Sequence, residues 1–212
     1  MPWYHGPTLI EALDSVTVNK ETKQMRFAVQ DIYSVDAEEV VVGRVESGTL
    51  CKGDEVIFHP SGVGGKIDRI KVYGAELEKA EAGDSVGVIT NCAPARGDVC
   101  GPADNPAVPT KEFLGEAVLL DESLKRGESV ELRCGTKRVK CTIKEIREKL
   151  NSETGEVIEE HPAHISEHEA ATIIFATDPL VVERFSDIPE LGRFVLARDK
   201  NIAAGIVLEP SV

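Results

Sequence analysis

Two stretches of this chain carry residue types at spacings that invite a chemical reading. The first is Ser61-Gly62-Val63-Gly64-Gly65-Lys66. A phosphate-binding P-loop requires G-x-x-x-x-G-K-[ST], in which backbone amides cradle the phosphates and the hydroxyl holds magnesium. Here Pro60 stands where the first glycine belongs, and Ile67 where the hydroxyl belongs. The stretch reads as a flexible hairpin loop. Val18-Asn19-Lys20-Glu21-Thr22 begins like the guanine-specificity motif N-K-x-D but ends on threonine. The chain by itself is therefore expected neither to bind nor to hydrolyse GTP, and no catalytic residue is assigned to it.

The second stretch is His161-Pro162-Ala163-His164-Ile165-Ser166-Glu167-His168, with further acids at Glu159, Glu160 and Glu169. Imidazole and carboxylate suit zinc or nickel. Pro162 breaks the helical spacing such a site would use, and no cysteine joins it, so a solvated loop without metal is expected. The five cysteines, Cys51, Cys92, Cys100, Cys134 and Cys141, form no C-x-x-C pair. An odd, irregular set argues for reduced thiols in or near a core. No G-x-S-x-G elbow is present.

Composition narrows the class further. The chain has 212 residues, enough for one large domain or two of about 100 residues each. Its net charge is −13. The acidity is even: 10 basic and 17 acidic residues up to Ala107 give −7, and 14 and 20 beyond it give −6. Tight sequence-independent nucleic-acid binding rests on Lys and Arg at phosphates, so only a local basic patch is compatible with it. No apolar run reaches membrane-spanning length. Met1-Pro2-Trp3-Tyr4-His5 lacks the basic and apolar regions of a secretory signal, so a cytoplasmic location is expected.

The elements that would position any site read almost entirely as strands. Thr8 followed by Leu9-Ile10-Glu11-Ala12-Leu13-Asp14 predicts a short helix, with Thr8 as N-cap and Glu11 completing a capping box. Its stripe of Leu9, Ile10 and Leu13 needs a docking surface. Residues 15–24 read as a polar linker. Beyond it, Met25–Ile32, Val40–Val45, Asp54–Phe58, Lys66–Val72 and Ser85–Thr90 are β-rich runs separated by Gly, Pro, Asp and Asn clusters. Within Val41–Val56, Gly48 and Gly53 mark turns. Pro102, Pro106 and Pro109 stiffen a connector over Gly101–Thr110. Strands resume at Glu112–Leu120, Ser129–Cys134, Lys137–Ile146 with a continuation to Leu150, Ala170–Thr177, Leu180–Phe185, Arg193–Ala197 and Ile202–Leu208. Close, regular strand spacing indicates an all-β fold of small barrels or sandwiches.

Several motifs, in order, give this pattern a family. Gly43-Arg44-Val45-x-x-Gly48-x-x-x-x-Gly53-Asp54, Ala82-Gly83-Asp84-Ser85-Val86-Gly87-Val88 and Arg96-Gly97-Asp98-Val99 resemble the second domain of the translation GTPases. Glu183-Arg184-Phe185-Ser186-Asp187-x-Pro189-x-Leu191-Gly192-Arg193-Phe194 and Ile202-Ala203-Ala204-Gly205-Ile206-Val207 resemble the third domain of elongation factor 1-alpha. Trp3-Tyr4-x-Gly6-Pro7-Thr8-Leu9-x-Glu11-Ala12-Leu13-Asp14 is similar to the last helix of that family's GTPase domain. The resemblance implies two consecutive small β-barrels preceded by a short N-terminal helix. It divides the chain into 1–24, the helix end and linker, then 25–106, a second-domain barrel, and 107–212, a third-domain barrel.

In this family the second domain holds the 3′ adenosine and aminoacyl group of tRNA. The strand Gln30-Asp31-Ile32-Tyr33-Ser34-Val35 matches that pocket. The resemblance implies a site around Gln30, Tyr33 and Arg44, with Tyr33 stacking on a base and Gln30 hydrogen-bonding. Alternation groups Gln30, Ile32 and Ser34 on one face and Asp31, Tyr33 and Val35 on the other. Arg198 and Lys200, in the turn Ala197–Asn201, are further candidates for tRNA phosphates. The sequence departs from the family at Asp36-Ala37-Glu38-Glu39, where the related factors have a G-x-G-T loop. Three acids and no glycine repel an RNA backbone and hinder its approach. The implied partners are the G domain of a parent GTPase, which would hold GTP and magnesium, aminoacyl-tRNA or a protein, and the ribosome. Two relatives with the same barrel pair give alternatives: the GTPase subunit of sulfate adenylyltransferase, which docks a catalytic protein, and a ribosome-rescue GTPase. Asp121-Glu122 and Leu132-Arg133-Cys134-Gly135-Thr136-x-x-Val139 are similar to the former.

Overall fold

A computed structural model describes residues 3, 5–16, 23–35 and 38–211. The guanine-motif mimic over Val18–Thr22 lies outside the described residues, as do Asp36 and Ala37 of the acidic loop.

The helix α1 (Leu9–Asp14) forms as its capping chemistry dictates. The Glu11 amide donates to Thr8 Oγ1 at 3.3 Å, and the Thr8 amide donates to Glu11 Oε2 at 2.7 Å. Two of the orphan donors at the helix start are satisfied reciprocally. Its apolar stripe of Leu9, Ile10 and Leu13 is exposed.

The first barrel is built from β1 (Arg26–Val35), β2 (Glu38–Ser47), β3 (Thr49–Cys51), β4 (Glu55–His59), β5 (Val63–Val72), β6 (Ala75–Leu77), β7 (Lys79–Glu81), β8 (Ser85–Thr90) and β9 (Val99–Pro102). Its strand order is β4-β9-β1-β2-β8-β5-β6, and a β4–β5 pairing closes the ring. Closure removes the sheet edges that would otherwise template aggregation. Phe27, Val29, Val41, Val45, Phe58, Ile67, Ile70 and Val88 fill the interior, and the register shift between Ile67 and Arg69 brings both isoleucines of β5 inward although they are an odd number of residues apart.

The second barrel uses β10 (Pro109–Leu119), β11 (Leu124–Lys125), β12 (Ser129–Cys134), β13 (Lys137–Leu150), β14 (Val157–Glu160), β15 (His164–Ile165), β16 (Ala170–Val181), β17 (Arg193–Ala197) and β18 (Asn201–Glu209). The order β12-β17-β18-β10-β16-β13-β14 closes through β12–β13. Phe113, Phe175 and Phe194 meet at its centre, with ring centroids 5.0 to 5.5 Å apart in stacked and edge-on pairs. The run from Lys137 to Leu150 is one long strand, as its alternation predicts.

Three boundaries differ from the sequence reading. Ala170–Thr177 and Leu180–Phe185 are one strand ending at Val181, because the ladder with β10 shifts register between Thr110 and Glu112, and so accommodates Asp178-Pro179. The connector is shorter than expected, since β9 runs to Pro102 and β10 begins at Pro109. The glycine loop before Lys66 is also shorter: Gly64 and Gly65 pair with Ile57 and Val56 in the β4–β5 ladder.

The barrels pack against each other. Ala28 and Val99 of the first, Ala107 of the connector, and Val181, Ile188 and Leu191 of the second form a buried apolar cluster. Beside it, Arg26 Nε donates to Glu183 Oε1 at 2.7 Å, and Arg26 Nη1 donates to the carbonyls of Met25 and Asn105 at 2.9 and 3.1 Å. Thr136 Oγ1 donates to the Val29 carbonyl at 2.8 Å, pinning the β12–β13 turn onto β1.

Candidate functional site

The strand β1 decides what the first barrel presents to solvent. Phe27 and Val29 point into the core, so strict alternation would carry Asp31, Tyr33 and Val35 inward as well. The β1–β2 ladder slips between Val29 and Asp31, leaving Gln30 as an extra, exposed residue. This bulge reverses the phase. Ile32 pairs with Val41 and packs on the core, while Tyr33 pairs with Val40 and stands 55% exposed. The expected grouping of Gln30 with Ile32 is thereby corrected: the bulge separates them, and Tyr33 is a surface ring.

Arg44 also faces outward, opposite Ala28, but Tyr33 lies opposite Val40. Four residues along a strand is about 13 Å, so Arg44 and Tyr33 do not line one small pocket. Arg44 instead sits 3.9 Å from Glu46.

Asp31 continues the outer face of β1 toward the second barrel, where Arg96 Nη1 lies 3.7 Å from Asp31 Oδ2. Arg96, Thr136, Lys137 and Arg138 then line an open groove of about 460 Å3 at the junction of the barrels. Lys137 and Arg138 form no ion pair among the described residues. Gly97 holds this arrangement in two ways. Its φ of +82° suits glycine, and a β-carbon there would come within 2.6 Å of Lys137 Cδ. Sequence reasoning missed Lys137 and Arg138, because their nearness to Arg96 is created only by the packing of one barrel on the other. Their cationic run in Lys137-Arg138-Val139-Lys140 is the one signal that pointed there.

Arg198 and Lys200 sit in the β17–β18 turn, close to carboxylates. Arg198 reaches Glu122 and Glu128 and donates to the Ser123 carbonyl at 2.9 Å. Lys200 pairs with Asp121, which holds the Asp121 carboxyl below the usual carboxylate range. The positive charge of this turn is locally neutralised.

The histidine stretch is dispersed. His161 Nδ1 lies 3.2 Å from Glu145 and His168 Nε2 lies 3.6 Å from Glu167, while His164 is in β15. Among the described residues no three His, Cys, Asp or Glu side chains are placed to hold a metal ion. Nor do the glycines before Lys66 fit a nucleotide's phosphates, since the β4–β5 ladder engages their backbone. Burial pushes the thiols of Cys134 and Cys141 up to about 12 and that of Cys100 higher still, so these cysteines are inert core groups.

Two closed barrels joined by a short connector, with a cationic groove at their junction, define a two-barrel module of translation-factor type. Residues 38–99 match the family model described as elongation factor Tu domain 2, and residues 113–208 match GTP-eEF1A C-terminal domain-like. The chain is 39% identical over 221 residues to elongation factor 1-alpha of Methanocaldococcus jannaschii, covering 99% of this chain and 51% of that protein. It is 41% identical over 216 residues to elongation factor 1-alpha of Methanothrix thermoacetophila, covering 96% and 51%. A crystal structure of sup35 complexed with GDP has the same fold, with a TM-score of 0.85 and 24% identity over 98% of this chain and 53% of that one. The chain carries the second-domain and third-domain β-barrels of the elongation factor 1-alpha and Tu family. It spans about half the length of the curated relatives it matches. No described helix is long and apolar enough to cross a membrane.

Proposed function

We propose that this chain is the RNA-holding part of an elongation factor 1-alpha-like translation GTPase, with residues 25–106 and 107–212 acting as two barrels of one binding surface. The observation that carries this reading is a continuous outer path. It runs from the exposed ring of Tyr33 through Asp31 and Arg96 to Lys137 and Arg138. An aromatic face for a base and a cationic groove for a backbone are the two parts single-stranded RNA recognition uses. On a chain of net charge −13, a groove in which Lys137 and Arg138 have no ion-pair partner among the described residues is a local exception to the global charge. Aminoacyl-tRNA is the RNA that the family membership favours. GTP and magnesium are assigned to a G domain of the parent protein, since no residue described here fits them.

A second reading has one specific observation in its favour. The neutralised turn at Arg198 and Lys200 weakens RNA contact on that side of the second barrel and suits docking of a protein partner, as in the barrels of the sulfate adenylyltransferase GTPase subunit or of a ribosome-rescue GTPase. Capture from cell extract with the full-length GTP-bound protein separates the two. Recovery of aminoacyl-tRNA supports the RNA reading; recovery of a protein without tRNA supports the second.

A further inference from the structure

The outer face of the second barrel carries an apolar row that crosses its strands. Val157 on β14 lies opposite Leu150 on β13, Leu150 opposite Ala170 on β16, Ala170 opposite Val118 on β10, and Val118 opposite Ala204 on β18. Residues directly opposite in a sheet share a face. That face is the outer one, because the chain neighbours Ala117, Leu119, Ala171 and Ala203 lie in the barrel core. Val157 and Val118 are 50% and 40% exposed, and Leu120, just beyond β10, is 51% exposed. Leu150 and Ala170 between them are buried, so the row is closed at its middle and open on either side. It lies far from the barrel junction: Val181 of the interface is at the other end of β16, and Lys137 of the cationic groove at the other end of β13.

A second row runs beside the first, two residues along each strand and about 7 Å away. Glu116 on β10 lies opposite Thr172 on β16, Thr172 opposite Glu148 on β13, and Glu148 opposite Glu160 on β14. Thr172 Oγ1 donates to Glu148 Oε2 at 3.4 Å. Glu116, Glu148 and Glu160 form no ion pair among the described residues, whereas Glu112, Glu131 and Glu159 of the same barrel each pair with a lysine or arginine. The apolar row is thus flanked on one side by three carboxylates without a cation. Like charges held in a line on a sheet repel one another, and a cationic partner relieves that repulsion.

We propose that this face of the second barrel docks a basic amphipathic helix of another protein, its apolar stripe on Val118 and Val157 and its lysines or arginines over Glu116, Glu148 and Glu160. The spacings select a helix lying across the strands. From Val157 to Ala204 there are four strand spacings, about 19 Å, the length of a helix of about 13 residues. One helical turn advances about 5.4 Å, close to the strand spacing of about 4.8 Å, so one apolar residue per turn meets each strand. Glu116 and Glu148 are two spacings apart and Glu148 and Glu160 one, about 10 and 5 Å. Basic residues at i, i+7 and i+11 of a helix stand about 10.5 and 6 Å apart along its axis. The flanking carboxylates decide the chemistry of the partner: they exclude an acidic helix or a nucleic acid and favour a cationic one. The surface is separate from the path through Tyr33 and Arg138, and its occupancy does not depend on the RNA reading.

The test titrates two synthetic helical peptides of about 15 residues into the full chain at low salt, followed by backbone amide NMR. Both carry the same leucine stripe; one has lysines at i, i+7 and i+11, the other glutamates. They are applied to wild type, to Val118→Ser with Val157→Ser, and to Glu148→Lys with Glu160→Lys. The lysine peptide is expected to bind wild type with shifts at Val118, Leu150 and Val157, and to bind the charge-reversed variant about tenfold more weakly. The glutamate peptide is expected to prefer the charge-reversed variant over wild type, a gain that also shows the variant is folded. The serine variant should lose about tenfold for the lysine peptide while melting like wild type. The proposal is overturned if the lysine peptide does not bind wild type, if the serine variant binds it equally well, or if charge reversal does not exchange the preference. Binding by this chain but not by the full-length parent would mean that the rest of the parent covers the face, and would overturn the assignment to another protein. So would dimerisation of wild type that the serine variant abolishes, which would give the face to a second copy of the chain.

Discussion

Arg26 and Glu183 meet across the two barrels at 2.7 Å, with side-chain exposures of 3% and 15%. Two further donor contacts from Arg26, to the Met25 and Asn105 carbonyls, tie the same guanidinium to its own barrel and to the connector. The relative placement of the barrels, and with it the groove of Arg96, Lys137 and Arg138, depends on this contact and on the adjoining apolar cluster.

Replacing Glu183 by Ala should leave Arg26 buried with an uncompensated charge. Removing one partner of a buried pair costs about 3–5 kcal/mol. Calorimetry should show the loss. Glu183→Gln, which keeps a hydrogen-bond acceptor, should cost less. Equal melting of wild type and Glu183→Ala would mean the pair does not hold the barrels together.

The two cationic clusters should behave differently toward RNA. Arg138→Ala is expected to weaken binding at low salt and to flatten the dependence of log Kd on log salt by about 0.7–0.9, the change for one lost phosphate contact. Arg198→Ala is expected to leave that slope unchanged and to alter stability by no more than about 1 kcal/mol, as for a partly exposed ion-pair network. The same slope change in both variants would refute the distinction.

Acid stability should depend on Glu169. Its Oε2 accepts from the Ser166 amide at 2.7 Å and its Oε1 from Lys149 Nζ at 3.1 Å, and these contacts, the amide foremost, depress its pKa. A carboxyl depressed in the fold contributes its full stabilisation above the unfolded-state pKa and loses it as pH falls through the folded value. Glu169→Gln should therefore be less stable than wild type near neutrality, and the difference should narrow with acid. A difference constant from neutral to acid pH would assign the effect to something other than this titration.

The aromatic centre of the second barrel sets its stability. Phe175 is fully buried against Phe113 and Phe194. Phe175→Ala should cost about 3–5 kcal/mol in chemical denaturation. A loss below 1 kcal/mol would mean that the core collapses to fill the space.

Much of this fold was legible because local rules and burial agree. Thr8 and Glu11 announce the capping box, and the alternation of Val139, Cys141, Ile143 and Ile146 extends β13 through a segment that a helix reading could also have claimed. The site was less legible. The bulge at Gln30 has no local sequence signature, yet it alone turns Tyr33 from the core side to the surface. Arg198 and Lys200 look like free basics in the sequence, because their partners, Glu122 and Glu128 for Arg198 and Asp121 for Lys200, come from distant positions in the chain. Conversely, Arg96 and Lys137 join in a groove only when two barrels dock. Side-chain type could be read along the chain, but pairing across it could not.

The most direct test of the central claim is a titration of labelled aminoacyl-tRNA into this chain, comparing wild type with Tyr33→Ala and with Lys137→Glu combined with Arg138→Glu. If the path from Tyr33 to Arg138 holds the RNA, Tyr33→Ala should lose about 1–3 kcal/mol of binding free energy, the size of one base–aromatic contact. The double charge reversal should remove measurable binding, and both variants should melt cooperatively like wild type. Equal affinity in all three, or no binding by wild type while a protein partner is recovered, would contradict the account.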